Sequence, residues 1–109
     1  MAYDEGLAER IESALAQIEL LSHKKMFGGL CFLVGGNMLA GVIGERLMLR
    51  VGPELYEPAL SKLHAGPMDF TGKAMKGLVY VEPEGFESEE DLKDWLALAL
   101  GFVATLPPK

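Results

Sequence analysis

Few residues in this 109-residue chain have the chemistry to act on a ligand: one cysteine, two histidines, a run of carboxylates near the C-terminus, and lysines beside two glycine-bearing segments. Cys31 could serve as a nucleophile only if a base or a positive dipole lowered its pKa. It lies between Leu30 and Phe32 in an apolar run, where a small buried thiol is the ordinary reading. His23 and His64 have no HxxxH spacing and no carboxylate-rich neighbour, so they read as capping or exposed residues after helices rather than metal ligands. The acids of residues 82–94 lack the alternating Asp/Asn and central glycine of a calcium loop, and they read as a turn followed by a helix start. Gly28-Gly29 and Gly35-Gly36 match neither dinucleotide nor phosphate-loop spacing, and turns or bulges account for them. No catalytic, cofactor-binding or metal-ligating residue is therefore assigned.

The lysines remain. Lys24 and Lys25 precede Phe27 and Gly28, while Lys73 and Lys76, which follow Phe70, flank the loop before a later strand. If the two strand starts they mark lie close together, Lys24, Lys25, Lys73 and Lys76 would surround Phe27 with positive charge. Such a patch suits an acidic peptide, a phosphate or single-stranded nucleic acid. The plainer reading is a solvated sheet rim whose lysines discourage edge pairing.

The elements that must position these residues follow from periodicity. Leu7, Ile11, Leu15, Ile18 and Leu21 recur at helical spacing, which predicts a helix over about 4–21 with Asp4 as its cap. Three strands are predicted next, Met26–Val34, Met38–Ile43 and Leu47–Val51, joined by turns too short for anything but antiparallel neighbours. A short helix over about Leu55–Leu63 must hold Pro58 in its first turn, because a deeper proline clashes with the carbonyl four residues back. Lys76–Val81 is a fourth strand, and Ser88 caps a last helix whose apolar face is Leu92, Trp95, Leu96, Ala99, Phe102 and Val103. The expected fold is α+β in the order α-β-β-β-α-β-α, one domain over 1–109, with an antiparallel sheet of about four or five strands and helices packed on one face. The other face is expected to stay partly open, and that face and the edge strands are a physical reason to expect a homodimer.

Composition narrows the function classes. Half the residues are hydrophobic and 24% are charged, as in globular domains. A single cysteine excludes an internal disulfide and suits a reduced cytoplasm. The N-terminus lacks a basic region and an apolar core of the secretory kind. Met26 to Gly44 is uncharged, yet its six glycines and Gly35-Gly36-Asn37 mark a hairpin rather than a membrane span. The net charge of −6 is uneven: residues 1–23 carry −4, 24–80 carry +3 and 81–109 carry −5. That distribution disfavours a duplex DNA-binding face.

Lys25-Met26-Phe27-Gly28-Gly29, the turn at Gly36-Asn37-Met38, Met75-Lys76-Gly77-Leu78-Val79-Tyr80-Val81 and the Trp95-to-Pro108 segment occur in this order over nearly the whole chain. Together they resemble the N-terminal domain of TfoX/Sxy-type regulators of bacterial competence. The resemblance implies an α+β fold with an antiparallel sheet, and it marks no catalytic residues. Those regulators are two-domain proteins thought to promote gene expression with a partner transcription factor. The chain stops at Lys109, so the expectation is a stand-alone domain without their C-terminal helical domain.

The functional expectation is a cytoplasmic, non-enzymatic regulatory domain that takes no cofactor and binds an unidentified protein partner, with a homodimer among the options and no membrane association. The alternative is a nucleic-acid or anion-binding module using the lysines. Third comes an enzyme acting on a small molecule, for which no residue pattern argues.

Overall fold

A computed structural model describes residues 3–26, 28–68 and 76–108. Asp4 caps α1 (Glu5–Ala14), its carboxylate accepting the Leu7 N–H at 3.2 Å and satisfying a donor that the helix start leaves free. Leu7, Ile11 and Leu15 form the buried stripe. The helix is shorter than the periodicity predicts: past Ala14, turns carry Ile18 into partial burial, and Leu20 at φ 64° redirects the chain.

Among the described residues six strands follow, rather than four or five. The predicted strand over 26–34 is the second arm of a hairpin, in which β1 (Leu21–Met26) pairs antiparallel with β2 (Gly29–Val34), from Leu21↔Val34 to Met26↔Gly29. Apolar alternation does not mark β1, because Ser22-His23-Lys24-Lys25 is polar on both faces and exposed. Backbone pairing holds it, and side-chain burial contributes little. β3 (Asn37–Ile43) and β4 (Arg46–Arg50) complete the meander. α2 (Pro53–Leu60) begins earlier than predicted, with Pro53 in its first turn, so Pro58 lies inside it rather than at its start. The amide that Pro58 lacks would have reached Glu54, and burial of Tyr56 and Ala59 holds the two-turn helix in place. β5 (Ala65–Pro67), too short to show a period, pairs with β6 (Leu78–Val81), which lies beside β4. A single 3-10 turn (Pro83–Phe86) then leads to α3 (Glu89–Val103), capped by Ser88 accepting the Asp91 N–H at 3.0 Å.

The sheet order is β1-β2-β3-β4-β6-β5, antiparallel throughout. On one face Leu39, Val42, Leu47, Leu49, Val79 and Val81 pack with Leu7 and Ile11 of α1, Tyr56 of α2 and Leu92, Leu96 and Val103 of α3. Arg10 fastens α1 to the start of α3: its Nε donates to Glu89 at 2.6 Å and its Nη2 to the Phe86 carbonyl at 2.7 Å. The Trp95 indole N–H donates to the Gly85 carbonyl at 3.0 Å, and the Asn37 amide to the Pro107 carbonyl at 2.9 Å. The opposite face departs from the expected open surface. Cys31, Met48, Leu78 and Tyr80 form a second buried cluster with Met68, so the sheet centre is covered on both sides.

Two glycines test this packing. A Cβ at Gly29 would run into the Val42 carbonyl and the Ile43 backbone, whereas one at Gly101, on the exposed side of α3, would meet nothing within 4 Å. Gly29→Ala is expected to destabilise the domain by about 2 kcal/mol or more. Gly101→Ala is expected to stabilise it by roughly 0.5–1 kcal/mol. Urea unfolding of both variants checks the opposite signs.

Candidate functional site

β1 is an edge of the sheet, and no strand among the described residues pairs with its outer side. The Gly35 N–H donates to the Leu20 carbonyl at 3.1 Å. With the register Ser22↔Leu33 and Lys24↔Cys31, the alternation of antiparallel ladders directs the backbone groups of Ser22, Lys24 and Met26 inward to β2. Those of Leu21, His23 and Lys25 point outward. The strand thus offers three residues' worth of unpaired N–H and C=O groups along an exposed edge.

Its side chains alternate between the two faces. His23 lies on the helix side, its ring 6.1 Å from Phe32 and tilted by 57°, and Lys25 shares that side. Lys24 lies on the opposite side with Met26, which packs against the Cys31–Met48 cluster. Consecutive lysines therefore bracket the edge, one on each face. The ion pairs among the described residues are Arg10–Glu89 and Arg46–Glu82, and neither Lys24 nor Lys25 takes part in one.

The other expected patch residues are not gathered here. Lys76 precedes β6, which three strands separate from β1, a lateral offset of about 19 Å at the usual strand spacing. β1 and β6 run in the same direction, with Lys25 near the end of one and Lys76 before the start of the other. They therefore sit toward opposite ends of the sheet. Phe27 and Lys73 lie outside the described residues, as does Phe70.

The residues with nucleophilic or ligating chemistry are dispersed. Cys31 is fully buried; burial pushes its thiol pKa up and outweighs nearby Lys24, which acts in the other direction. His64 closes the turn between α2 and β5 in a left-handed conformation, φ 73°, and its carbonyl accepts the Glu82 N–H at 2.9 Å. Among the described residues, no three His, Cys, Asp or Glu side chains converge as a metal site would require, and every buried side-chain nitrogen or oxygen has a hydrogen-bond partner. Grooves are shallow. One of about 240 Å³ between α2 and α3 is lined by Val51, Leu55 and Phe102 with Glu54 at its rim. Another of about 220 Å³ runs between α1 and the outer strands, lined by Glu5, Glu9 and Glu12 opposite His23 and Phe32.

Charge is sorted by element. The strands carry Lys24, Lys25, Arg46 and Arg50 and no acid. The helices and the 3-10 turn carry ten acids and two basic residues. Arg46 and Arg50, absent from the expected patch, are engaged within the fold. Arg46 lies 3.9 Å over the Tyr80 ring, and Arg50 lies 5.4 Å from the Phe102 ring and donates to the Met38 carbonyl at 3.5 Å. The alternation Arg46-Leu47-Met48-Leu49-Arg50 places both arginines with Met48 on one face. Sequence reading set Lys24 and Lys25 at a strand start on the sheet rim; what it missed is that they belong to a separate edge strand, β1, which only the pairing with β2 reveals.

No helix among the described residues is long and apolar enough to cross a membrane. Comparison with curated proteins and with solved structures returned no match. The model of one family, the TfoX N-terminal domain, matches residues 13–103. That span runs from the end of α1 through α3 and takes in all six strands of the sheet. The chain belongs to the TfoX N-terminal domain family.

Proposed function

We propose that this chain is a non-enzymatic interaction domain of a bacterial regulator, working in the cytoplasm through a protein partner and accessory to transcription. Membership of the TfoX N-terminal domain family supports the regulatory class. The observation that carries the interaction is the six-residue edge strand β1, exposed along Ser22–Lys25 in a domain whose sheet centre is covered on both faces. An unpaired edge is a ready means of adding a partner's strand, and pairing with a second copy would make a homodimer of the same surface. The buried Cys31, with its thiol pushed toward the protonated form, supports a structural rather than nucleophilic role.

A pull-down of the tagged chain from source cells, with and without nuclease, tests the reading. It is run beside a variant in which Lys24, Lys25, Lys73 and Lys76 are alanine. Recovery of the same specific protein in both nuclease arms is the expected result. Recovery that disappears with nuclease and with the lysine changes would support the nucleic-acid alternative, which also predicts a steep loss of binding with salt.

A second test concerns Cys31. Alkylation by iodoacetamide is expected to be at least about a hundredfold slower in the folded chain than in urea, because the reactive thiolate must first be exposed. A raised folded-state pKa also means that the unfolded thiol ionises first as pH climbs. The contribution of Cys31 to stability is therefore complete below the ordinary thiol range and is lost above it. Cys31→Ala is expected to flatten that alkaline decline in urea melts. Fast alkylation of the folded chain would point to an activated thiol and against the non-enzymatic reading.

A further inference from the structure

We infer that the outer edge of β1 receives an extended acidic segment of the partner protein, paired antiparallel to Leu21–Met26 and bearing carboxylates at two consecutive positions, opposite Lys24 and Lys25. The inference rests on the interaction-domain reading above and gives that partner a chemistry.

Three observations carry it. The first is the set of outward backbone groups of Leu21, His23 and Lys25, fixed by the register with β2 and by the Gly35-to-Leu20 hydrogen bond. They match the donor and acceptor spacing of an added antiparallel strand. The second is charge. Lys24 and Lys25 are exposed, neither takes part in an ion pair with a described residue, and they stand on opposite faces of the edge. Edge lysines repel strands that cannot neutralise them. A strand with adjacent acids projects one carboxylate to each face and meets both ammonium groups, so the feature that blocks general pairing selects this ligand. The third is a limit on the pattern. His23 shares its groove with Glu9 and Glu12 of α1, so an acid opposite His23 would face carboxylates and is disfavoured.

The far edge contrasts with this one. β5 has three residues and ends in Pro67, a short strand that cannot extend a ladder far. A second copy of the chain is a poorer fit to β1, because it would bring four lysines to one seam without an acid from either edge strand.

The test is an amide-shift titration of the ¹⁵N-labelled full chain with the capped peptide Thr-Glu-Glu-Val-Thr-Val, which places its two acids opposite Lys25 and Lys24. Saturable shifts centred on the Leu21, His23 and Lys25 amides are expected, weakening as salt rises. The double variant Lys24→Glu, Lys25→Glu is expected to bind this peptide about tenfold more weakly and to prefer the Thr-Lys-Lys-Val-Thr-Val counterpart. Both changes are at exposed positions, and unchanged α3 amides confirm that the variant is folded. Equal responses to the two peptides, or shifts that avoid β1, would overturn the inference. So would concentration-dependent shifts of the same amides without peptide, which mean a second copy. A single-stranded oligonucleotide that moves those amides more than the acidic peptide does would overturn it in favour of nucleic acid. If the pull-down recovers the partner equally with wild type and with this double variant, the interaction reading stands and the β1 edge is removed from it.

Discussion

Burial of the sheet centre on both faces is the constraint from which the rest of this domain follows. The middle residues of β4 and every residue of β6 are buried, with the helices against one side and the Met48–Met68–Tyr80 cluster on the other. Antiparallel sheets more often leave one face to water. Covering both leaves no inexpensive place for an ionised side chain in the middle strands. Charge on the strands is accordingly confined to the ends of β4 and to the edge strand β1, while the acids ride on the outer surfaces of the helices.

The same constraint separates the two edges. β5 is short, ends in proline and is backed by α2. β1 is longer, polar and exposed, and it joins the sheet through backbone pairing with β2 alone. Among the described residues, β1 is thus the longer of the two open edges, bracketed by two lysines on opposite faces. The domain's cysteine is buried, and its two histidines lie on separate elements, one in β1 and one in the turn before β5. What stays exposed is a directional strand edge. The interaction role proposed for the domain rests on membership of the TfoX N-terminal domain family together with this edge.

Much of the fold was legible in the sequence, and the reasons are local. Asp4 and Ser88 announce their helices because capping chemistry is short-range. Leu47, Leu49 and the Val79-Tyr80-Val81 run announce buried strands through their side chains. What escaped was set by non-local pairing. β1 has no apolar period because only its end residues, Leu21 and Met26, pack against the core clusters, and β5 is three residues long. Ile18 and Leu21 continue the helical spacing of α1, yet they pack from turn and strand positions, since periodicity cannot tell a stripe on one helix from residues returned to the core by a turn. Pro58 was placed by a sound steric rule applied to the wrong start, because Pro53 opens the helix earlier. The lysine patch shows the same limit: Lys24 and Lys25 share an edge, but the strand order that sets Lys76 apart from them is invisible to spacing along the chain.

The most direct measurement of the central claim is residue-resolved amide hydrogen exchange across β1 in the free domain. The account predicts an alternating pattern, with Leu21, His23 and Lys25 exchanging rapidly from the open edge while Ser22, Lys24 and Met26 are protected by pairing with β2. Uniform protection of all six would mean that the edge is already occupied and would contradict the account.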